Sequence, residues 1–433
     1  MNRRTFLRRT APLSLPAAAG LAGCAAPGTE PGTDGDGEES GSDEGGEDIT
    51  GTAPIPMLDD PPDAVYLPGH RKSMRLLEPV AAGEYMLTPM LSYPHPFWVV
   101  TGTDRQLEEL DVGRGVHLML TVWDPDTERA LPVDISPHVT IERADTGDEV
   151  ASRSLWPMLS QEMGFHFGDN VSLPADGSYA VRVALPPVPI RRTGAFAGRF
   201  TERATATFEF TYDQAFRDEI VDGIDLLARD RWGDRGALEP MPHRNGTAAD
   251  GSENGHGGHD DVPYSALPPA DEYPGTRLVD PNADADATDE DGRLPRSGDA
   301  VVVATLFEAG SRLVAGDDSG DAGDGTDGSD DADDSDDGRY LLVSPRTPYN
   351  RVPLSNTSLR AVVERDGEAV ADRMLQATLD DEYGLHYGRT LADVRSGDSV
   401  RIVVESPPQT ARHQGYETAF FEMESVELAV PGD

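Results

Sequence analysis

Apolar and polar residues alternate with a period of two along several short stretches of the chain. Val116, Leu118, Leu120 and Val122 alternate with His117, Met119, Thr121 and Trp123. Further on, Tyr179, Val181, Val183 and Leu185 mark a second such stretch, and Phe208, Phe210 and Tyr212 a third. Val400, Ile402 and Val404 mark a fourth, far down the chain. Side chains in a strand point alternately to opposite faces, so each pattern predicts a strand with one face turned to a core. The strands are short and bounded by Gly, Pro and Asp, the pattern of antiparallel sandwiches. One segment breaks the period. "DQAFRDEIVDGIDLLARDRWG" (213–233) sets Phe216, Ile220, Ile224 and Leu227 on one helical stripe, predicting a helix that packs on a domain edge or bridges two domains.

The pattern also repeats. "MGFHFGDNVSLPADGSYAVRVALPP" (163–187) is answered by "YGLHYGRTLADVRSGDSVRIVVESPP" (383–408). Upstream, "GDEVASRSLWPML" is answered by "GEAVADRMLQATL", and downstream "RRTGAFAGRF" by "ARHQGYETAFF". The expected fold is therefore mostly β: two immunoglobulin-like antiparallel sandwiches, 61–233 and 263–433, joined by a polar, histidine-containing linker (234–262). Residues 25–60 read as a disordered acidic tether, and 316–338 as an acidic loop within the second sandwich.

Charge and the N-terminus narrow the setting. The net charge is -43, from 79 Asp+Glu against 36 Lys+Arg, and Lys72 is the sole lysine. Such uniform acidity suits solvation in high salt and argues against a nucleic-acid partner. "MNRRTFLRRT" followed by an apolar run and "LAGC" reads as a twin-arginine signal with a lipobox over 1–24. The protein is expected to be exported and anchored through lipidated Cys24 to the outer face of the cytoplasmic membrane. Cys24 is the only cysteine. Its lipidation excludes disulfides, zinc-thiolate sites, cysteine nucleophiles and blue-copper centres. No Ser-His-Asp order or phosphate-cradling glycine loop stands out, so no enzymatic activity is expected.

Candidate chemistry then rests on His and Met. His117 and Met119 share one strand face, and imidazole with thioethers forms a soft donor set suited to Cu(I). Glu162 or Asp169 would shift the preference toward Fe(II) or Mn(II), and Trp156 and Phe167 are candidates to wall the site from water. Met86, Met90 and His95 form another His/Met cluster, whose methionines read as core filler. His243, His256 and His259 lie in the linker, and His70 and His138 have no visible partners. Asn170, one of three Asn-x-Ser/Thr sequons, reads as closing the turn beside His166.

In order, "GVHLMLTVWD", "LWPMLSQEMGFHFGDNV", "DGSYAVRVALPP" and "ATFEFTYD" resemble the periplasmic iron-transport lipoproteins. The resemblance covers Val116 to Asp213 well, and the second half only through its back part. It implies an immunoglobulin-like sandwich that often dimerises, binds copper, iron, zinc or manganese, and delivers iron to a membrane permease. The implied metal ligands are His117, Met119 in place of the family's Glu, Met158 and His166. The family's histidine after Pro-Pro is replaced by Arg191 and Arg192. Second-half candidates are His386, in the repeated turn, and His413, in the loop where the first half lacks its histidine. A site shared between the halves, as in a dimer within one chain, would account for that complementarity. The expected function is a transition-metal-binding protein (Fe or Cu foremost, then Zn or Mn) that assists iron uptake beside a permease. The competing readings are a metal-free surface sandwich for adhesion or glycan binding, and a copper-handling protein.

Overall fold

The computed structural model describes residues 56–108, 114–241, 275–281, 294–314 and 338–432. The signal and Cys24, most of the tether, the linker histidines and nearly all of the acidic loop lie outside the described residues.

The first half builds nine principal strands: β1 (Tyr85–Ser92), β2 (Gly115–Asp124), β3 (His138–Arg143), β4 (Glu149–Ser154), β5 (Trp156–Ser160), β6 (Gly164–Ser172), β7 (Gly177–Leu185), β8 (Arg191–Thr193) and β9 (Ala204–Tyr212). One sheet runs β4-β3-β7-β9, and the facing sheet contains β1-β2-β6-β5. Between them sits a core that includes Val116, Leu118, Leu120 and Val122 from β2, with Tyr179, Val181, Val183 and Leu185 from β7. The period-two alternation thus fills a sandwich core as expected. In β9 it is complete, every second residue being buried. In β2 all ten residues are buried, because the face bearing His117 and Met119 is covered as well.

The second half repeats this order with β10 (Ala300–Phe307), β11 (Arg339–Arg346), β12 (Ser358–Arg365), β13 (Glu368–Met374), β14 (Gln376–Asp380), β15 (Gly384–Leu391), β16 (Ser399–Ser406), β17 (Ala411–Arg412) and β18 (Val426–Ala429). Its sheets run β13-β12-β16-β18 and β10-β11-β15-β14. Val302, Leu341, Val343, Leu359, Ala361, Val400 and Ile402 pack between them.

Each half also lends a strand to the other's sheet. The segment after Pro-Pro in the second half, β17, pairs parallel with β5, setting Ala411 beside Met158. Reciprocally, β8 pairs parallel with β14, setting Arg191 beside Thr378. At that second junction the Thr193 hydroxyl donates to Asp380 at 2.6 Å, and Arg312 pairs with the same carboxylate.

The helix is shorter than its apolar stripe. α1 spans Gln214–Asp222, with the Asp213 carboxylate accepting from the Phe216 N–H at the N-cap and Phe216 and Ile220 buried. Gly223 ends it where a side chain would meet Ser73. Asp225–Leu226 then pairs antiparallel with His70–Arg71, so tertiary pairing takes over residues whose spacing also suits a helix. No described helix is long and apolar enough to cross a membrane.

Candidate metal centre

The buried outer face of β2 and β6 carries the site. His117 on β2 lies opposite Asn170 on β6, and Met158 on β5 opposite His166 on β6. Between them Gly168 leaves the space that side chains need. A Cβ there would lie 3.0 Å from Met158 Sδ and 3.1 Å from His117 Nε2, so both donor atoms converge over this one residue. The turn feeding β6 uses Gly164 at φ 62°, a conformation that favours glycine.

Two further histidines enter from outside these strands. His95 comes from the "YPHP" connection after β1, and His413 from the end of β17. Ligand nitrogens of His95, His117 and His413 all lie within 4.8 Å of one another. His166 Nε2 is 3.2 Å from His413 Nε2, and those two rings stack at 5.2 Å. Phe97 packs with Met158 and Ala411 and closes one side, its ring 6.0 Å from that of His117.

The surrounding hydrogen bonds set the tautomers. His95 Nδ1 lies 2.9 Å from Tyr93 O, His117 Nδ1 2.9 Å from Asn170 Oδ1, and His166 Nδ1 3.2 Å from Gly164 O. Each Nδ1 therefore carries the proton and donates, leaving the Nε2 lone pair facing inward. Asn170 is itself fixed, since its amide Nδ2 donates to His95 O at 2.9 Å. His117 Nε2 is buried with no hydrogen-bond partner, the condition expected of a nitrogen placed for a metal ion. Burial pushes the pKa of His117 down to about 3, helped by the charge of Lys72, and burial holds His166 at about 3. His95 and His413 are likewise driven well below the usual histidine range, first by burial and then by Lys72. All four rings are thus neutral donors near pH 7, and with Met158 they fit a transition ion of nitrogen and sulfur preference.

One cation already sits among them. The Lys72 ammonium donates to His95 Nε2 at 2.8 Å and to His413 Nδ1 at 2.7 Å. Burial pushes its pKa down against the opposing pull of Glu162 and Glu417. Because the ammonium engages the same lone pairs a metal needs, Lys72→Met is expected to raise metal affinity about tenfold. A competition titration against a chelator of known affinity checks this; equal or weaker binding would show that the lysine does not compete.

Several sequence expectations need correction. Met119 packs with Met90 and Met163 and lines a small cavity together with His413. Glu162 is held by Arg71 and the Lys72 backbone, and Asp169 pairs with Arg153, so neither carboxylate joins the histidines. Trp156 is 41% exposed and Phe167 points into the sandwich core, so neither walls the site. His386 stays in the second half, where its Nδ1 donates to Gly384 O at 3.1 Å and its Nε2 lies 3.2 Å from the Tyr340 hydroxyl. The strand registers equate Tyr340 with His117 and Thr378 with Met158. Arg191, donating to the Tyr340 hydroxyl at 3.3 Å, occupies the matching space. By the same registers His413 corresponds to Thr193, not to Arg191 or Arg192. His95, Asn170 and Lys72 are the site residues that sequence reasoning passed over. The "YPHP" histidine and the solitary lysine were the signals available.

A family model described as a domain of unknown function (DUF7350) matches residues 271–429. No curated protein matches the chain in sequence. Among solved structures, a copper-bound variant of FetP from uropathogenic Escherichia coli is 20% identical, with a TM-score of 0.26, covering 32% of this chain and 97% of that one. FetP from the same organism in its as-isolated form is also 20% identical with a TM-score of 0.26, covering 32% of this chain and 95% of that one.

Proposed function

We propose that this is an exported, lipid-anchored protein that binds one transition-metal ion in the His95, His117, His166, His413 and Met158 cluster and assists iron uptake at the membrane. The single observation that carries the metal reading is the convergence of these buried, neutral imidazoles, three of them with Nδ1 tied to an oxygen. Imidazoles with one thioether and no free carboxylate favour copper over iron or manganese, so the resident ion is copper and iron is the cargo of the system. The iron-uptake part and the permease partner rest on the sequence resemblance, and the address on the twin-arginine and Cys24 signals. The two halves stand to each other as the subunits of a dimer would, exchanging β8 and β17, and only one of the two equivalent sites keeps its ligands. Duplication with loss of one site accounts for both the repeated turn and its divergent histidines.

The test is metal content and affinity of the mature protein, equilibrated with Cu, Fe, Mn and Zn, beside a His117→Ala/His166→Ala variant. The parent is expected to bind one equivalent of copper more than the variant. Equal metal content in both would remove the histidine site.

A further inference from the structure

We propose that the methionine-lined cavity beside the histidine cluster is a second binding site, for one soft monovalent cation of the Cu(I) class. Its donors are Met74, Met119, Met163 and His70, none of them among the five above, although His413 lines both sites. Five of the chain's 11 methionines pack into one group, and three of them, Met74, Met119 and Met163, line the cavity. Met90, Met119 and Met163 are 0%, 2% and 4% exposed, and Met74 and Met241 pack against them. They come from five separate segments, and Met90 and Met119 are direct cross-strand partners on β1 and β2. Leu76 packs against the same group and Leu238 lines the cavity, and leucine fills such space with less loss of side-chain freedom than methionine, so volume alone does not account for five thioethers beside them.

The second observation is His70. This residue is 2% exposed; its Nε2 lies 2.8 Å from the Tyr93 hydroxyl, while its Nδ1 is buried without a hydrogen-bond partner. His70 lines the same small cavity as Met74, Met119 and Met163, with Lys72 and His413 on its border. In the tautomer whose Nε2–H donates to the Tyr93 hydroxyl, the buried Nδ1 carries a lone pair with no hydrogen-bond partner. The one carboxylate on the wall, Glu162, is already engaged by Arg71 and the Lys72 N–H. Neutral thioethers with one imidazole hold a soft, singly charged ion and offer little to Zn(II), Fe(II) or Mn(II), which need harder or charged ligands. Because Lys72 and His413 belong to both sites, the cavity adjoins the histidine cluster and is placed to receive Cu(I) ahead of it.

The experiment uses protein carrying 13C-methyl methionine, titrated anaerobically with Cu(I) in wild type and in His117→Ala/His166→Ala. In both proteins, one equivalent bound in the cavity is expected to shift the methyl signals of Met74, Met119 and Met163. Zn(II) leaves those signals in place. Met74→Leu/Met163→Leu nearly conserves volume, and it should weaken the Cu(I) event in the histidine variant by about tenfold or more, as should His70→Ala. Unmoved Met119 and Met163 signals at several equivalents, or an affinity unchanged by the leucine pair, would overturn the proposal. Failure of the histidine site alone would instead silence Met158 while the cavity methionines still respond.

Discussion

His413→Ala is expected to lower copper affinity at least about 100-fold, although the residue lies 247 positions after His166. The imidazole contributes from two directions. Its Nδ1 is 3.1 Å from His95 Nε2, and its Nε2 is 3.2 Å from His166 Nε2. Truncation removes one donor and opens space between two others, so the remaining rings lose both a partner and their packing. His386→Ala is the control. That histidine occupies the same turn in the second half and is hydrogen-bonded to Gly384 and Tyr340, so copper affinity should stay within a factor of about two. Competition titrations on the two variants decide between a site assembled from both halves and one confined to the first. Loss in His386→Ala, or none in His413→Ala, would contradict the shared site.

The second large effect is on stability in mild acid. His386 is fully buried and its pKa is pushed from 6.5 to about 4 by burial. His70 is lowered to about 4 by burial and by Lys72. A histidine that protonates near 6.5 when unfolded and near 4 when folded binds protons first in the unfolded chain. Its contribution is therefore complete above pH 6.5 and is lost as pH falls toward 4. By pH 5 a single such histidine costs about 2 kcal/mol of stability. Metal-free protein should lose that much for each of several buried histidines between pH 7.5 and 5. Most carboxylates stay ionised across this window, so relief of the -43 net charge does not mask the effect. Urea unfolding at several pH values measures it, and His386→Gln should flatten the dependence by about 2 kcal/mol. An unchanged slope in that variant would show that His386 does not stay neutral in the fold. Asp380 adds a separate step at lower pH. Despite burial, Arg312, Thr193 and two backbone N–H groups hold its pKa at about 2, so its contribution is lost only as pH falls below about 3.8.

Much of the fold can be read from local pattern. Tyr179 to Leu185 and Phe208 to Tyr212 alternate because each strand has one face in the core, and period two carries that information without reference to any other strand. The helix shows the limit of such reading. Ile224 and Leu227 continue a helical stripe past Gly223, but pairing with His70–Arg71 claims the following residues. The histidine centre divides in the same way. Met158 and His166 lie on the β5–β6 hairpin, whose pairing a short connection makes readable, whereas β2 brings His117 beside β6 only after the chain has passed through β3 and β4 of the facing sheet. Met119 shares a strand face with His117, yet Met90 opposite and Met163 nearby draw it into the methionine group.

The sequence by itself determined a mostly β, sandwich-like chain, the alternating faces of its strands and its acidic, lysine-poor composition, since each is a property of neighbouring residues or of composition. Only the tertiary structure decided which donors meet. His95 reaches the site because the "YPHP" connection folds back over β2, and the methionines around it gave that segment the look of core. His413 reaches it because β17, two residues long, pairs parallel with β5 in the other half. A strand that short has no periodicity to read, and a parallel pairing across the chain is encoded in the packed surfaces of both halves rather than in any one segment.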